Sequence, residues 1–323
     1  KIYKELSTHF EVYFFEGQME SLGKKTVKEL LNKKIAEISD EATIINLEKY
    51  NLGKWVLLRK DGTCLYSAKD IALAKIKFDK YKIQRNIYIV GAAQSLHLQQ
   101  LFKTLEILKF KYAKLCVHLP FSEVRLPTGK MSSRTGENIL YSEMKAELLE
   151  NAIKETTKRN PKLKKAIIKK IASSISFAAI KYTMLSQDSN KPIIFSPEKE
   201  VRFDGDTGPY IQYTYARISS ILKKEKPKQV QEYNLDTLEE YKLVNQLSIF
   251  PLIVKKAAKE FKPSILTNYL LELSHTVNEF YHAYPVLKAP KEIKQARLCL
   301  LSATKIVLKN GLSLLSIDAP GSM

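Results

Sequence analysis

Gly129 and Gly136 bracket Lys130, Met131, Ser132, Ser133 and Arg134 in the run LPTGKMSSRTGEN. The chain spends only 11 glycines on 323 residues, so two around one short cationic run signal a backbone that must bend or move. Cations and hydroxyls at this density suit the oxygens of a polyphosphate. A phosphate loop of the G-x-x-x-x-G-K-[ST] type needs glycine where Val124 stands, so that loop is excluded. Tyr66 and Asp70 stand four apart in YSAKD and share one helix face. A carboxylate there can meet the fork of a planar guanidinium, or it can simply complement a helix dipole. Tyr210, Tyr213, Thr214 and Arg217 recur at i, i+3, i+4 and i+7 after Pro209, and Asn278 and Tyr281 close a later helix. Such aromatics either stack splayed RNA bases or pack a core.

The elements that must position these residues change character along the chain. GKWVLLRK reads as a strand, followed by the Asp61-Gly62 turn and a short strand TCLY. SAKDIALAKIKFDKY reads as a helix with Ser67 as its N-cap. NIYIVG is a buried strand, AQSLHLQQLFKTLEILKF an amphipathic helix, and AKLCVHL a third strand. Strand and helix in turn predict one parallel sheet of βαβ units. Ligands of such sheets sit at the carboxyl ends of the strands, which here gather Tyr66, Gly91 to Gln94, and His118 to Phe121. From about Tyr141 the pattern is helical, interrupted by KPIIFSPEKEVRFDGDTGPY, where we place a domain junction. Pro161 splits a lysine-rich stretch (151–170) into two helices. Leu266, Leu270, Leu273 and Val277 form one apolar stripe of a helical bundle. The expected fold is α/β, an incomplete Rossmann-type parallel sheet, followed by an all-α helical bundle.

Lysine and arginine exceed aspartate and glutamate by 53 − 34 = 19. That excess suits a polyphosphate partner, although lysine used throughout in place of other polar residues would give the same balance. The lysines of residues 151–170 either line an RNA path or form a solvated face. No apolar run is long enough to span a bilayer, and Lys4, Glu5 and Glu11 stand where a signal peptide needs an apolar block. A soluble, cytoplasmic protein without a membrane partner is expected. Cys64, Cys116 and Cys299 are far apart and form no CxxC pair, so neither disulfides nor a metal site are expected.

Five blocks together carry a resemblance: DGTCLYSAKDIA, IYIVGAAQSLHLQQLFKTLEIL, GKMSSRTGENILYSEM, DTGPYIQYTYARISSIL and the terminal RLCLLSATKIVLKNGLSLLSIDAPGSM. In order and spacing the chain resembles the arginyl-tRNA synthetases, class I aminoacyl-tRNA synthetases, over essentially its whole length. The resemblance implies ATP-dependent activation of L-arginine to arginyl-adenylate and transfer to tRNA(Arg), with Mg²⁺. It implies that Glu16, Tyr66, Asp70 and Gln94 hold arginine. Gly91, His118, Val124, Lys130 and Met131 would seat ATP, and Lys130, Ser132, Ser133 and Arg134 would stabilise its phosphates. Tyr210, Tyr213, Thr214, Arg217, Asn278, Tyr281 and Met323 would clasp the anticodon loop. The segments implied are 1–140 (second half of the catalytic domain), 141–206 (helical connector) and 207–323 (anticodon-binding domain).

The chain departs from the family pattern at Ser133, where lysine is frequent, and at Thr214, where alanine is common. None of His9, His97, His118, His275 and His282 lies in the H-x-G-H motif of the family's first half-site. We therefore expect that the motif's half of the catalytic domain precedes Lys1, is a separate chain, or is lost, and that this chain alone does not form the adenylate efficiently. A non-catalytic, synthetase-derived tRNA-binding protein is the alternative.

Overall fold

The computed structural model describes residues 1–126, 129–130, 140–228 and 233–323. Met131, Ser132, Ser133 and Arg134 thus lie outside the described residues. The chain divides into two compact units, Thr8–Ser122 on one side and Lys1–Ser7 with Glu123–Met323 on the other. The short helix α1 (Ile2–Glu5) belongs to the second unit.

The first unit runs α2 (Glu16–Asn32), β1 (Glu37–Ser39), β2 (Ala42–Asn46), β3 (Lys54–Leu58), α3 (Tyr66–Tyr81), β4 (Asn86–Gly91), α4 (Ser95–Ile107) and β5 (Cys116–Phe121). Its core gathers Val27 and Leu30 of α2, Leu57 of β3, Ile71 and Phe78 of α3, and Leu101 and Leu105 of α4. The βαβ rule holds for β4, α4 and β5: the two strands pair in parallel, Tyr88 opposite His118 and Gly91 opposite Phe121. It fails for β3, which lies in a separate antiparallel sheet of order β1-β2-β3. The connection from β2 to β3 is too short for a crossover, so those strands can pair only antiparallel. The segment TCLY contributes one isolated bridge, Leu58 to Cys64, rather than a strand. The turn before it needs Gly62, whose φ is +77°. Ser67 does not cap α3. Leu65 occupies the N-cap, and the Ser67 hydroxyl donates to the Val56 carbonyl of β3. Cys64 and Cys116 are buried free thiols, and burial pushes Cys116 up to about 11.

In the second unit β6 (Val124–Leu126) pairs antiparallel with β7 (Gly129–Lys130) and parallel with β8 (Ile193–Ile194). Around it stand α5 (Tyr141–Arg159), α6 (Lys165–Leu185), α7 (Pro197–Glu200), α8 (Gly208–Lys224), α9 (Leu238–Glu260), α10 (Pro263–Ala283) and α11 (Lys291–Leu314). Pro161 does separate α5 from α6. The segment expected to be non-helical contains both β8 and α7. The stripe Leu266, Leu270, Leu273 and Val277 is buried together with Ile211, Ile218, Leu301 and Leu308. Thr207 caps α8, its hydroxyl accepting the Tyr210 amide at 3.2 Å. No described helix is long and apolar enough to cross a membrane.

Gly208 of α8 packs directly against α6. A Cβ added there would come 2.6 Å from the Ala178 carbonyl oxygen and 2.8 Å from the Tyr182 Cβ. Backbone cannot yield as a side-chain tip can. Gly208→Ala should therefore cost about 1–3 kcal/mol, read as a lowered urea midpoint at unchanged slope. An unchanged midpoint would mean that α8 can slide away from α6 freely.

Candidate functional site

Three elements of the first unit converge on Asp70. It lies one turn along α3 from Tyr66, whose side chain is exposed. Asp70 Oδ2 is 2.8 Å from His97 Nε2, with 31% of the Asp70 side chain and 11% of the His97 side chain exposed. The buried Trp55 of β3 donates its indole N–H to His97 Nδ1 at 3.3 Å. The Tyr66 ring meets the imidazole edge-on, with centroids 4.8 Å apart. These partners fix the tautomer. An indole nitrogen only donates, so Nδ1 is the acceptor, and the ring hydrogen sits on Nε2, from which it donates to Asp70. The carboxylate is thereby held beside Tyr66, with its partly exposed side left for a cation. Lys77, further along α3, is pushed down by burial, with Asp70 acting in the opposite sense, and its ammonium lies 5.1 Å from the Tyr88 ring.

His97 is not among the residues that spacing and resemblance single out, and it lies in no H-x-G-H motif. A signal was present: His97 is a polar residue at i−4 to Leu101 on the apolar face of α4, and such a residue needs buried partners.

The other residues expected at this site have separate surroundings. Glu16 opens α2 and pairs through Oε1 with Lys69 Nζ at 2.8 Å, which holds the Lys69 ammonium above the usual lysine range. Gly91 ends β4, and Gln94, exposed, closes the 3₁₀ turn before α4. His118 Nε2 lies 3.0 Å from the Val90 carbonyl, tying β5 to β4. Gly91, Gln94 and Phe121 thus cluster at the carboxyl ends of the parallel pair β4–β5. Val124 and Lys130 belong to the second unit, where Lys130 pairs across from Arg125.

The aromatic residues of α8 and α10 build one polar network. Arg217 donates through Nη1 to Asn278 Oδ1 at 2.5 Å and through Nη2 to the Tyr213 hydroxyl at 3.2 Å. Its guanidinium carbon lies 4.8 Å from the Tyr213 ring and 5.2 Å from the Tyr281 ring. The Asn278 amide donates to the Tyr210 hydroxyl at 2.8 Å and to Thr214 Oγ1 at 3.0 Å. Tyr210 also meets His275 Nδ1 at 3.1 Å, and His275 Nε2 lies 3.6 Å from Asp206. The expected residues therefore sort into two layers. Tyr210, Thr214 and Asn278 form a scaffold. Tyr213, Arg217, Tyr281 and Met323 line a cavity of about 620 Å³, joined by Lys224 and Lys288, which sequence reasoning had not singled out. A cavity walled by a guanidinium on two phenol rings and rimmed by lysines can stack a planar base and attract its phosphates.

Comparison with known proteins follows this division of chemistry. Residues 2–196 match the catalytic domain of the class I (R) tRNA synthetases, and residues 211–323 match the DALR anticodon binding domain. The chain is 38% identical over 329 residues to an arginine–tRNA ligase of Bdellovibrio bacteriovorus, covering 100% of this chain and 57% of that protein. It is 36% identical over 334 residues to the one from Fusobacterium nucleatum, covering 100% and 58%. The chain thus spans a little over half the length of these relatives. The solved arginyl-tRNA synthetase of Thermus thermophilus superposes with a TM-score of 0.88 at 25% identity, over 99% of this chain and 61% of that one. A methionyl-tRNA synthetase of Mycobacterium tuberculosis shares the fold alone, with a TM-score of 0.64 at 10% identity, over 99% of this chain and 76% of that one. With both of its segments matched, the chain belongs to the arginyl-tRNA synthetase family of class I aminoacyl-tRNA synthetases.

Proposed function

We propose that this chain serves arginine–tRNA ligation. Arginine and ATP give arginyl-adenylate and pyrophosphate, and the arginyl group then passes to tRNA(Arg) with release of AMP. The observation that carries the reading is the Asp70 carboxylate, fixed by His97 beside the exposed Tyr66, where it can meet a guanidinium fork. Glu16 and Gln94 would complete the arginine site. Gly91, His118, Val124 and Met131 would seat the adenosine. Lys130, Ser132, Ser133 and Arg134 would neutralise charge gathering on the α-phosphate and the departing pyrophosphate. Mg²⁺ would arrive as the ATP complex. Among the described residues no group of three or more His, Cys, Asp or Glu is placed to hold a metal ion. The Tyr213–Arg217–Tyr281 cavity would take an anticodon base.

Two titrations test this. Calorimetry with arginine should give heat with the chain, and a labelled anticodon stem-loop of tRNA(Arg) should bind with a steep salt dependence. Arg217→Ala should weaken stem-loop binding by roughly ten- to a hundredfold, because it removes a stacking wall and unseats both tyrosines. Stem-loop binding without arginine heat would favour the non-catalytic tRNA-binding reading. Neither signal would overturn both.

A further inference from the structure

Helices α1 and α11 end alike. Each passes through a C-cap leucine, Leu6 or Leu315, into a serine in the left-handed region, Ser7 at φ +59° and Ser316 at φ +57°. Glycine is the usual residue at such a turn, so both serines hold a conformation that other contacts must favour. One side chain reaches both turns. Lys181 of α6 donates through Nζ to the Ser316 carbonyl and, at 3.3 Å, to the Ser7 hydroxyl. A cation at the carboxyl end of α11 also meets the negative pole of that helix. Burial pushes the Lys181 ammonium down, and the Asp318 charge acts in the opposite sense. The two turns are departure points. Residues 1–7 belong to the helical unit, and the chain leaves it at Thr8 for the unit that carries Tyr66 and Asp70. Beyond Ser316 the chain runs through the buried Ile317 to Met323, which lines the Tyr213–Arg217–Tyr281 cavity. That last stretch is held again at Asp318, whose carbonyl accepts from Nε2 of the buried Gln212 at 2.7 Å.

We propose that Lys181 is a positioning residue that couples these two departures, so that RNA held at the cavity raises the arginine affinity of the other unit. The proposal rests on the reading that the cavity takes an anticodon base and that Asp70 takes arginine. An occupant that orders Met323 orders a short tail already tied at Asp318 and Ser316. Lys181 carries that order to Ser7, from which the chain sets off for the arginine site. Arginine then meets a chain with less left to fix. The gain is reciprocal, so arginine tightens RNA binding by the same factor.

The test uses the 323-residue chain, arginine and an anticodon stem-loop of tRNA(Arg). Calorimetry should show arginine binding at least about fivefold tighter with saturating stem-loop than without it. Lys181→Met keeps the aliphatic stem and removes the donors. Each ligand alone should bind this variant within about twofold of the unsubstituted chain, while the enhancement disappears. Lys181→Arg keeps a donor at the same place and should restore most of the enhancement. Ser7→Gly removes the hydroxyl at a φ that glycine accepts, so it should also lower the enhancement, and it remains informative if Lys181→Met does not fold. Equal arginine affinity with and without stem-loop in the unsubstituted chain would overturn the coupling and leave the functional reading standing. An enhancement that survives Lys181→Met and Ser7→Gly would do the same. If Lys181→Met loses a separate affinity along with the enhancement, the lysine is a structural support only and the proposal is wrong. If the unsubstituted chain fails to bind one of the two ligands, the functional reading fails, and the coupling with it.

Discussion

Replacing Arg297 by alanine is expected to destabilise the helical unit by about 3–5 kcal/mol. Glu240 and Arg297 are 0% and 8% exposed. Arg297 Nε donates to Glu240 Oε1 at 2.6 Å, and Glu240 Oε2 accepts the amides of Asp236 and Thr237, each at 3.0 Å. The guanidinium also lies 4.9 Å from the Tyr284 ring. The pair thus joins the capping box that starts α9 to the second turn of α11. Without the cation, a carboxylate stays buried with only amide and hydroxyl partners. Burial pushes Glu240 upward, but the Thr237 amide and Arg297 outweigh it and hold the group below the usual glutamate range. A carboxylate depressed in the folded state contributes stability that is complete above its unfolded pKa. That contribution is lost as pH falls through the folded value. Arg297→Ala removes a lowering cause and leaves burial in place, so the Glu240 contribution shrinks and the stability lost on acidification should be smaller than in the parent chain. Urea melts between about pH 3 and pH 7 would check both claims. An Arg297→Met, Glu240→Leu double variant should recover much of the loss, because a buried pair replaced by apolar side chains leaves no orphan charge. Equal melts for Arg297→Ala and the parent would show that solvent reaches Glu240.

The parts of this fold that are legible in the sequence are those set by local period. The α10 stripe and the β4–α4–β5 unit follow from spacings within one element or one crossover. The sheet β1-β2-β3 does not, because β1 and β2 are short and their partner is a matter of tertiary pairing. The alternation of exposed and buried residues in β3 marks a strand with one face in the core, which antiparallel sheets favour, but the unbroken apolar run WVLL hides that alternation in the sequence. Ser67 shows the reverse error. Its type suits a cap, but the approach of β3 gives its hydroxyl a better partner in Val56. The candidate sites divide in the same way. Helical spacing identified Tyr210, Tyr213, Thr214 and Arg217 as one face. Only the position of α10 decides that Tyr213 and Arg217 line the cavity while Tyr210 and Thr214 support Asn278. Helical spacing flags His97 as a polar residue on an apolar face, but its partners Trp55 and Asp70 are remote in sequence and no local pattern names them.

That triad carries the second large effect. Asp70→Asn should weaken arginine binding by about 2–4 kcal/mol, on the order of 30- to 1,000-fold, measured by calorimetry. Asparagine keeps the shape of the side chain and an oxygen that can still accept from His97 Nε2. What disappears is the charge that we propose pairs with the guanidinium fork. Citrulline separates charge from shape, since its urea group copies the outline of the guanidinium without its cation. The unsubstituted chain should prefer arginine strongly over citrulline, and Asp70→Asn should bind the two alike. Trp55→Phe should act more mildly and by another route. It removes the donor that makes Nδ1 an acceptor, so His97 is free to place its hydrogen on Nδ1 and withdraw the bond to Asp70. Nitrogen-15 spectra of the imidazole should show one tautomer in the parent chain and a mixture in Trp55→Phe. Arginine affinity should fall in that variant while the preference over citrulline survives, because the charge remains although its orientation is loosened. A loss of preference in Trp55→Phe, or its retention in Asp70→Asn, would place the guanidinium-reading carboxylate elsewhere, and Glu16 would be the next to test.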